Sequence, residues 1–213
     1  MRVVCISDTH CSWNLLDIPE ADLLIHAGDI DLMYGSSQAY DFSIWLNRLE
    51  QVKHKIVVAG NHDFYSEERD EDLRDCLWDS GVIYLRNQLA TIDGIKIWGS
   101  PITPTFGEWA NMAHRGKEIR EYWDKIPKDI DVLVTHGPPY EILDEVVRRS
   151  GEIENVGCQD LLEYVNSIKP KLHVFGHIHG SYGQKKIGNT LFVNASVMDE
   201  EYSVVNKPII VEV

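Results

Sequence analysis

Five apolar, β-branched runs along this chain each stop at a short polar cluster. VVCIS leads to Asp8-Thr9-His10, DLLIHA to Gly28-Asp29, KIVVA to Gly60-Asn61-His62-Asp63, DVLV to Thr135-His136-Gly137 and LHVF to Gly176-His177-Ile178-His179. Short apolar runs of this kind read as buried strands, so each polar cluster is presented at a strand terminus. Between the strands the period changes. From Ser36 to Val52, residues Phe42, Trp45, Leu46 and Leu49 share one helical face, the spacing of an amphipathic helix packed on a sheet. An acidic helix is predicted over Glu67 to Trp78. A further helix carries Cys158, Leu161, Leu162, Val165 and Ile168 on one face until Pro170 ends it.

Strands then come in quick succession at Val82–Leu85, Gln88–Ile92 and Ile95–Gly99, with Asp93-Gly94 as a hairpin turn. The C-terminal third reads as a meander: Tyr182–Ile187, Leu191–Asn194, Tyr202–Val205 and Ile209–Val213, the first pair joined by Gly188-Asn189. Strand–helix units followed by hairpins predict an α/β fold with two sheets face to face and helices outside. Thr103 to Pro127 breaks the pattern with aromatic, amide and basic residues. Two short helices are expected there, as a cap over a sheet edge or as a lid facing substrate.

Composition narrows the class. No repeat or polar linker divides the 213 residues, so one domain over 1–213 is expected, and 44% hydrophobic content is enough for a full core. Cys5, Cys11, Cys76 and Cys158 form no CxxC pair. Cys5 and Cys158 fall on apolar faces and read as structural thiols. The first apolar run is too short for a signal-peptide core and no stretch approaches membrane-spanning length. A reducing, cytoplasmic setting is therefore expected. The formal charge of −14 opposes a sequence-independent grip on nucleic acid.

The chemistry lies in the polar clusters. Five of the nine histidines (His10, His62, His136, His177 and His179) fall in them, as a dinuclear metal centre would require. Asp8 and His10 are two apart, as are His177 and His179, so in extended backbone each pair points to one side. Such positions lie roughly 6.5–7 Å apart, a reach suited to two ions about 3.5–4 Å apart rather than one. Nitrogen and oxygen donors without thiolate favour manganese, iron, zinc, cobalt or nickel and disfavour calcium. Two divalent ions bring about +4; Asp8, Asp29 and a bridging hydroxide remove about three, leaving roughly one positive charge for an anionic substrate. That tally selects phosphate chemistry without choosing the ester.

As an ordered set, D-x-H, G-D, G-N-H-D, H and G-H-x-H resembles the calcineurin-like metallophosphoesterase superfamily. The likeness implies a four-layer αββα sandwich. It also implies that Asp8, His10 and His179 hold one metal, that Asn61, His136 and His177 hold the other, and that Asp29 bridges them. His62 would protonate the leaving group or steady charge on the phosphoryl oxygens, with Asp63 orienting it. Trp109-Ala110-Asn111, Arg115-Gly116, Thr135-His136-Gly137-Pro138-Pro139, Val156-Gly157-Cys158 and Asn194-Ala195-Ser196 extend the likeness to metallophosphoesterase-domain (MPPED) proteins over nearly the whole chain. These are linked to phosphodiester hydrolysis, including cyclic nucleotides, usually with added manganese. Some of them carry glycine where this chain has His177. The likeness is poor between Tyr140 and Asn155.

The reading that results is a metal-dependent phosphodiesterase acting on a small phosphate ester such as a nucleotide, with two divalent ions, manganese first among them. A phosphomonoesterase is the rival within enzymes. A scaffold that binds a protein partner through the same fold, as the retromer subunit does, is the rival outside them. In the inserted segment Arg115, Trp109 and Asn111 are the candidate substrate-binding residues, Arg115 because a guanidinium pairs bidentately with phosphate. Phe106 and Trp109 are also candidates to stack on a base. His26 and His173, inside apolar runs, read as core or supporting histidines.

Overall fold

A computed structural model describes residues 1–33, 35–78 and 80–213. Two sheets stand face to face. The first has five strands in the order β15 (Ile209–Glu212), β1 (Arg2–Ile6), β2 (Ala21–Ala27), β3 (Val52–Val58) and β4 (Ile83–Tyr84), all parallel except β15. The second runs β13 (Gly183–Ile187), β14 (Thr190–Asn194), β12 (Leu172–Phe175), β9 (Val132–Thr135), β6 (Ile95–Ser100) and β5 (Gln88–Ile92). Its four inner strands are parallel and its two edges antiparallel.

Alternation along β1 shows why these segments read as unbroken apolar runs. Val3 and Cys5 face the second sheet, among Leu23, Ile25, Ile56, Val132, Val134, Val174 and Val193. Val4 and Ile6 face outward, onto Phe42, Trp45 and Leu46 of α1 (Ser36–Asn47) and Leu73 and Leu77 of α3 (Asp70–Trp78). The outer face of the second sheet buries Leu133, Phe175 and Phe192 against Ile119 and Trp123 of α4 (Lys117–Trp123) and Leu161 and Val165 of α5 (Gln159–Ile168). Both faces of each sheet are therefore covered, and the layers are helix, sheet, sheet, helix. Each fully buried Leu, Ile or Phe contributes about 1.5–3 kcal/mol.

Several local expectations need correction. The acidic helix is split at Arg69 into α2 (Phe64–Glu68) and α3. The segment Thr103–Pro127 holds one helix, α4. Where a second was expected, two-residue strands β7 (Thr103–Pro104) and β8 (Met112–Ala113) pair instead. Tyr202–Val205 is not a strand; only Met198 and Val204 form an isolated bridge. Strand β15 leaves the presumed meander altogether and pairs with β1 in the other sheet. A hairpin of β10 (Glu145–Val147) and β11 (Ile153–Asn155) occupies the stretch where family likeness is poor. Among the described residues no helix is long and apolar enough to cross a membrane.

Candidate metal centre

Strands β1, β2, β3, β9 and β12 all deliver their carboxyl ends to one edge of the sandwich, the position where parallel sheets present ligands. The five polar clusters meet there. The backbone that presents them is not extended, however. Asp8, His10, Asp29 and His177 have φ of 55°, 38°, 55° and 69°, so the same-side argument from strand geometry fails and left-handed turns do the aiming. Such turns are strained for non-glycine residues, and strain of this kind gathers at functional sites. The loops hold one another in place. Thr9 N–H and His10 N–H both donate to Asp29 O (3.0 and 3.2 Å), and Asp8 N–H donates to Gly28 O at 2.9 Å. His177 N–H donates to the Asp8 carboxylate at 3.0 Å across 169 residues of sequence. Backbone approach is so close that a Cβ at Gly176 would fall inside the Asp8 carboxylate, and one at Gly60 inside that of Asp29.

Three groups of donor atoms result: Asp8, His10 and His179; Asp29, His136 and His177; and, between them, His10, Asp29 and His62. In each, the donor atoms lie within 4.8 Å of one another. Asp29 belongs to the last two. Its Oδ1 is 3.2 Å from His136 Nε2 and its Oδ2 is 3.8 Å from His10 Nε2. Asn61 Oδ1 lies 2.9 Å from His136 Nε2. His136 donates Nδ1–H to Ala27 O at 2.9 Å, so in the neutral ring Nε2 turns a lone pair toward two oxygens that also only accept. A cation or a bound proton relieves that repulsion. His179 repeats the motif, donating Nδ1–H to Asp199 O at 2.8 Å and aiming Nε2 at Asp8 Oδ1, 3.5 Å away. His10 Nε2 is buried without a hydrogen-bond partner. These donors fit divalent metal.

The electrostatics agree. Burial alone would push the Asp8 carboxyl up, but the His179 hydrogen bond and the His136 charge outweigh it and hold it at about 2. Asp29 is likewise lowered, burial being overcome by His136. Burial depresses His136 in turn, yet Asp29 and Asp8 raise it to about 9. His177 is pulled down to about 4 by burial and then by the His136 charge. Two buried carboxylates with clustered imidazoles make a site built for positive charge.

His62 lies at the edge of the centre, in the donor group that it shares with His10 and Asp29. Its ring stacks on Trp109 (centroids 4.3 Å, planes 27° apart) and meets His10 edge-on at 4.7 Å. Its place beside Asp29 and His10 puts it within the same small volume. Asp63 does not orient it. The Asp63 carboxylate accepts from the backbone N–H of Asp31, Leu32, Ile30 and Gly60, clamping two loops together. Burial and the Asp29 charge push that carboxyl up to about 7 against the pull of these amides. The carboxylate that faces His62 Nδ1, at 3.9 Å, belongs to Asp31.

The calcineurin-like phosphoesterase family matches residues 1–181. Metallophosphoesterase domain-containing protein 1 of human and of mouse is 38% identical over 235 residues, covering 99% of this chain and 70% of the relative. The chain belongs to the calcineurin-like phosphoesterase family. Within it, the chain is of the metallophosphoesterase-domain type. The crystal structure of TT1561 from Thermus thermophilus superposes with a TM-score of 0.64 at 15% identity, over 99% of this chain and 97% of that one, which shows the fold alone. The family makes this protein a metal-dependent phosphoester hydrolase.

In this phosphoesterase the inserted segment is tied to the centre differently than its sequence suggests. Asn111 is buried and donates Nδ2–H to Gly60 O (2.8 Å) and Ser66 Oγ (2.9 Å), while Arg86 donates to Asn111 Oδ1 at 2.7 Å. It braces the Asn61-His62 loop and does not face the opening. Arg115 donates to the carbonyls of Gly157 and Val156, both at 2.7 Å. Sequence reasoning missed Arg86, Asp31 and Tyr202. Tyr202, at φ 59°, sets an exposed ring 4.8 Å from His10 and 5.2 Å from His179. No motif marks it; the acidic loop around it was the nearest signal.

Proposed function

We propose that this phosphoesterase hydrolyses phosphodiesters, cyclic nucleotides among them, at a dinuclear centre in which Asp29 serves both ions. The observation that carries the reading is the pair of donor groups that Asp29 joins, one carboxylate oxygen toward each. On this reading Asp8, His10 and His179 hold one ion, and Asn61, His136 and His177 the other. Two divalent ions there, manganese by preference and iron, zinc, cobalt or nickel with the same donors, would polarise the phosphoryl oxygens and lower the pKa of the attacking water. His62 sits where it can give a proton to the departing ester oxygen. Trp109 fixes the plane of its ring, and Asp31 faces its far nitrogen. A small positive remainder at the centre matches the single charge of a diester. Cys5, Cys11, Cys76 and Cys158 are free thiols, which suits the reducing, cytoplasmic setting that belongs to this proposal.

The test is elemental analysis of the purified protein together with kcat/KM on bis-p-nitrophenyl phosphate and on p-nitrophenyl phosphate, with manganese supplied. The diester is expected to lead by about tenfold or more, a difference of about 1.4 kcal/mol in transition-state binding. A lead for the monoester would replace this reading with a phosphomonoesterase. Failure to retain any transition metal would leave only the scaffold.

A further inference from the structure

A cavity of about 800 Å³ opens on the His177 flank of the centre, large enough for a drug-sized group. Phe106, Tyr140, Val146, Asn155, Arg115 and His177 are among its lining residues. The β10–β11 hairpin forms one wall and the start of α5 another. His62, Trp109, His10 and Tyr202 do not line it. Its charged lining residues balance in number, Arg115, Arg120 and Arg148 against Glu154, Asp160 and Glu163. Arg120 pairs with Asp160 and Glu163 at 2.5 and 2.7 Å, Arg148 pairs with Glu154 at 2.6 Å, and both Arg115 bonds go to backbone carbonyls. Apolar groups complete the lining, Pro138, Val146 and Ile178 among them, with a 56% exposed Phe106 ring 5.2 Å from that of His177.

We infer that this cavity binds the retained arm of the substrate, an uncharged aryl or heterocyclic group on the phosphorus, while the leaving arm lies on the opposite flank at His62. The inference rests on the phosphodiester reading above and adds to it which ester bond breaks. Water oxygen bonds to phosphorus and the P–O bond at the His62 flank breaks. The departing oxygen keeps the electron pair and takes a proton, and the second proton of the water goes to solvent. The product is a phosphate monoester whose arm still fills the cavity. An anionic arm would meet a lining in which Glu154, Asp160 and Glu163 offset Arg115, Arg120 and Arg148, and a bare monoester would leave the cavity empty.

The experiment holds the leaving group constant and makes the retained group unambiguous, because a C–P bond is not hydrolysed. With manganese-loaded protein, p-nitrophenyl phenylphosphonate is compared with p-nitrophenyl methylphosphonate, each rate divided by its rate with hydroxide. The phenyl compound is expected to lead in kcat/KM by about tenfold, a modest return for burying an aryl ring. Val146→Trp, which narrows the cavity from its hairpin wall, should bring the ratio within about twofold of one. Phe106→Ala, at an exposed ring that the fold does not need, should lower it several-fold. A ratio within one preparation cancels losses of folding or metal. A wild-type ratio near one, or a ratio unmoved by both variants, overturns the inference and leaves diester hydrolysis standing. If neither phosphonate turns over, the hydrolase reading fails. Calorimetric binding of phenylphosphonate and methylphosphonate then decides the cavity: equal affinities overturn it, and a tenfold preference for phenyl that Val146→Trp removes supports it.

Discussion

His136 sits with one nitrogen spent on Ala27 O and the other facing Asp29 and Asn61 oxygens, and that geometry has thermodynamic consequences. A cation that binds the folded state and not the unfolded one stabilises it by about 2.7 kcal/mol at a hundred times its Kd. For a chain of this length that is roughly 5–10 °C in melting temperature. Scanning calorimetry with and without manganese is expected to show such a rise. Asp29→Ala should abolish it along with activity, because each of its oxygens serves a different group; a variant that keeps the metal-induced rise contradicts the bridge. His62→Ala should keep the rise and lose about 10²–10⁴-fold in kcat, the usual cost of removing a positioned acid–base group. Near-wild-type turnover in that variant would remove His62 from the mechanism. These residues were legible in the sequence because each motif is local and the set is ordered. Asp31 was not legible, since its relation to His62 is created by the meeting of two loops.

The loop after β3 is held from three sides. Asp63 ties it to the loop after β2, Ala110 N–H donates to Asn61 O at 3.1 Å, and the Arg86–Asn111–Ser66 chain supports Gly60 from below. Asn111→Ala removes one bond each from Gly60 O, Ser66 Oγ and Arg86, while Gly60 O keeps Asp63 N–H (3.3 Å) and Arg86 keeps Ser66 O (3.0 Å), so the cost is about 0.5–1.5 kcal/mol for each bond lost. The expected outcome is a lower urea midpoint together with a drop in kcat exceeding any change in KM, because the loop carries Asn61 and His62. Asn111→Asp, which keeps the acceptor toward Arg86, should recover part of both. Equal loss of kcat in the two variants would make the residue a matter of bulk packing. Strands were legible from apolar runs and the hairpin at Asp93-Gly94 from its turn pair, both residues having positive φ. The β7–β8 pair was not: two residues per strand carry no period, and pairing alone defines them.

At the scale of the whole molecule, two imidazoles in the strands support the centre from within. His26 accepts from Gly28 N–H at Nδ1 and meets Thr9 Oγ1 at Nε2 (2.9 Å); His173 meets Thr135 Oγ1 (2.9 Å), whose hydroxyl donates on to Gly137 O. Thr9 and Thr135 adjoin the ligands, so each sheet steadies its own cluster. Burial holds both rings neutral, with pKa near 3. Their folded pKa lies below the unfolded value of about 6.5, so the unfolded chain binds more protons as pH falls from there. Stability is therefore present above about pH 6.5 and lost toward pH 4, at about 1.4 kcal/mol per unit per ring. Urea unfolding of metal-free protein between pH 7 and 5 should show this slope, and His173→Gln should flatten it by one ring's share. An unchanged slope would mean that His173 is protonated in the fold.

The chain alone determined the identity and order of the candidate ligands, the two-sheet class and the helical layers, because apolar period and motif spacing are local properties. Tertiary structure decided how those parts act together: the left-handed turns that aim Asp8 and His177, the sharing of Asp29 between His10 and His136, and the cavity beside His177. Each depends on contacts between segments far apart in sequence, such as His136 with Asn61, 75 residues away. Packing the two sheets together is what makes those segments neighbours.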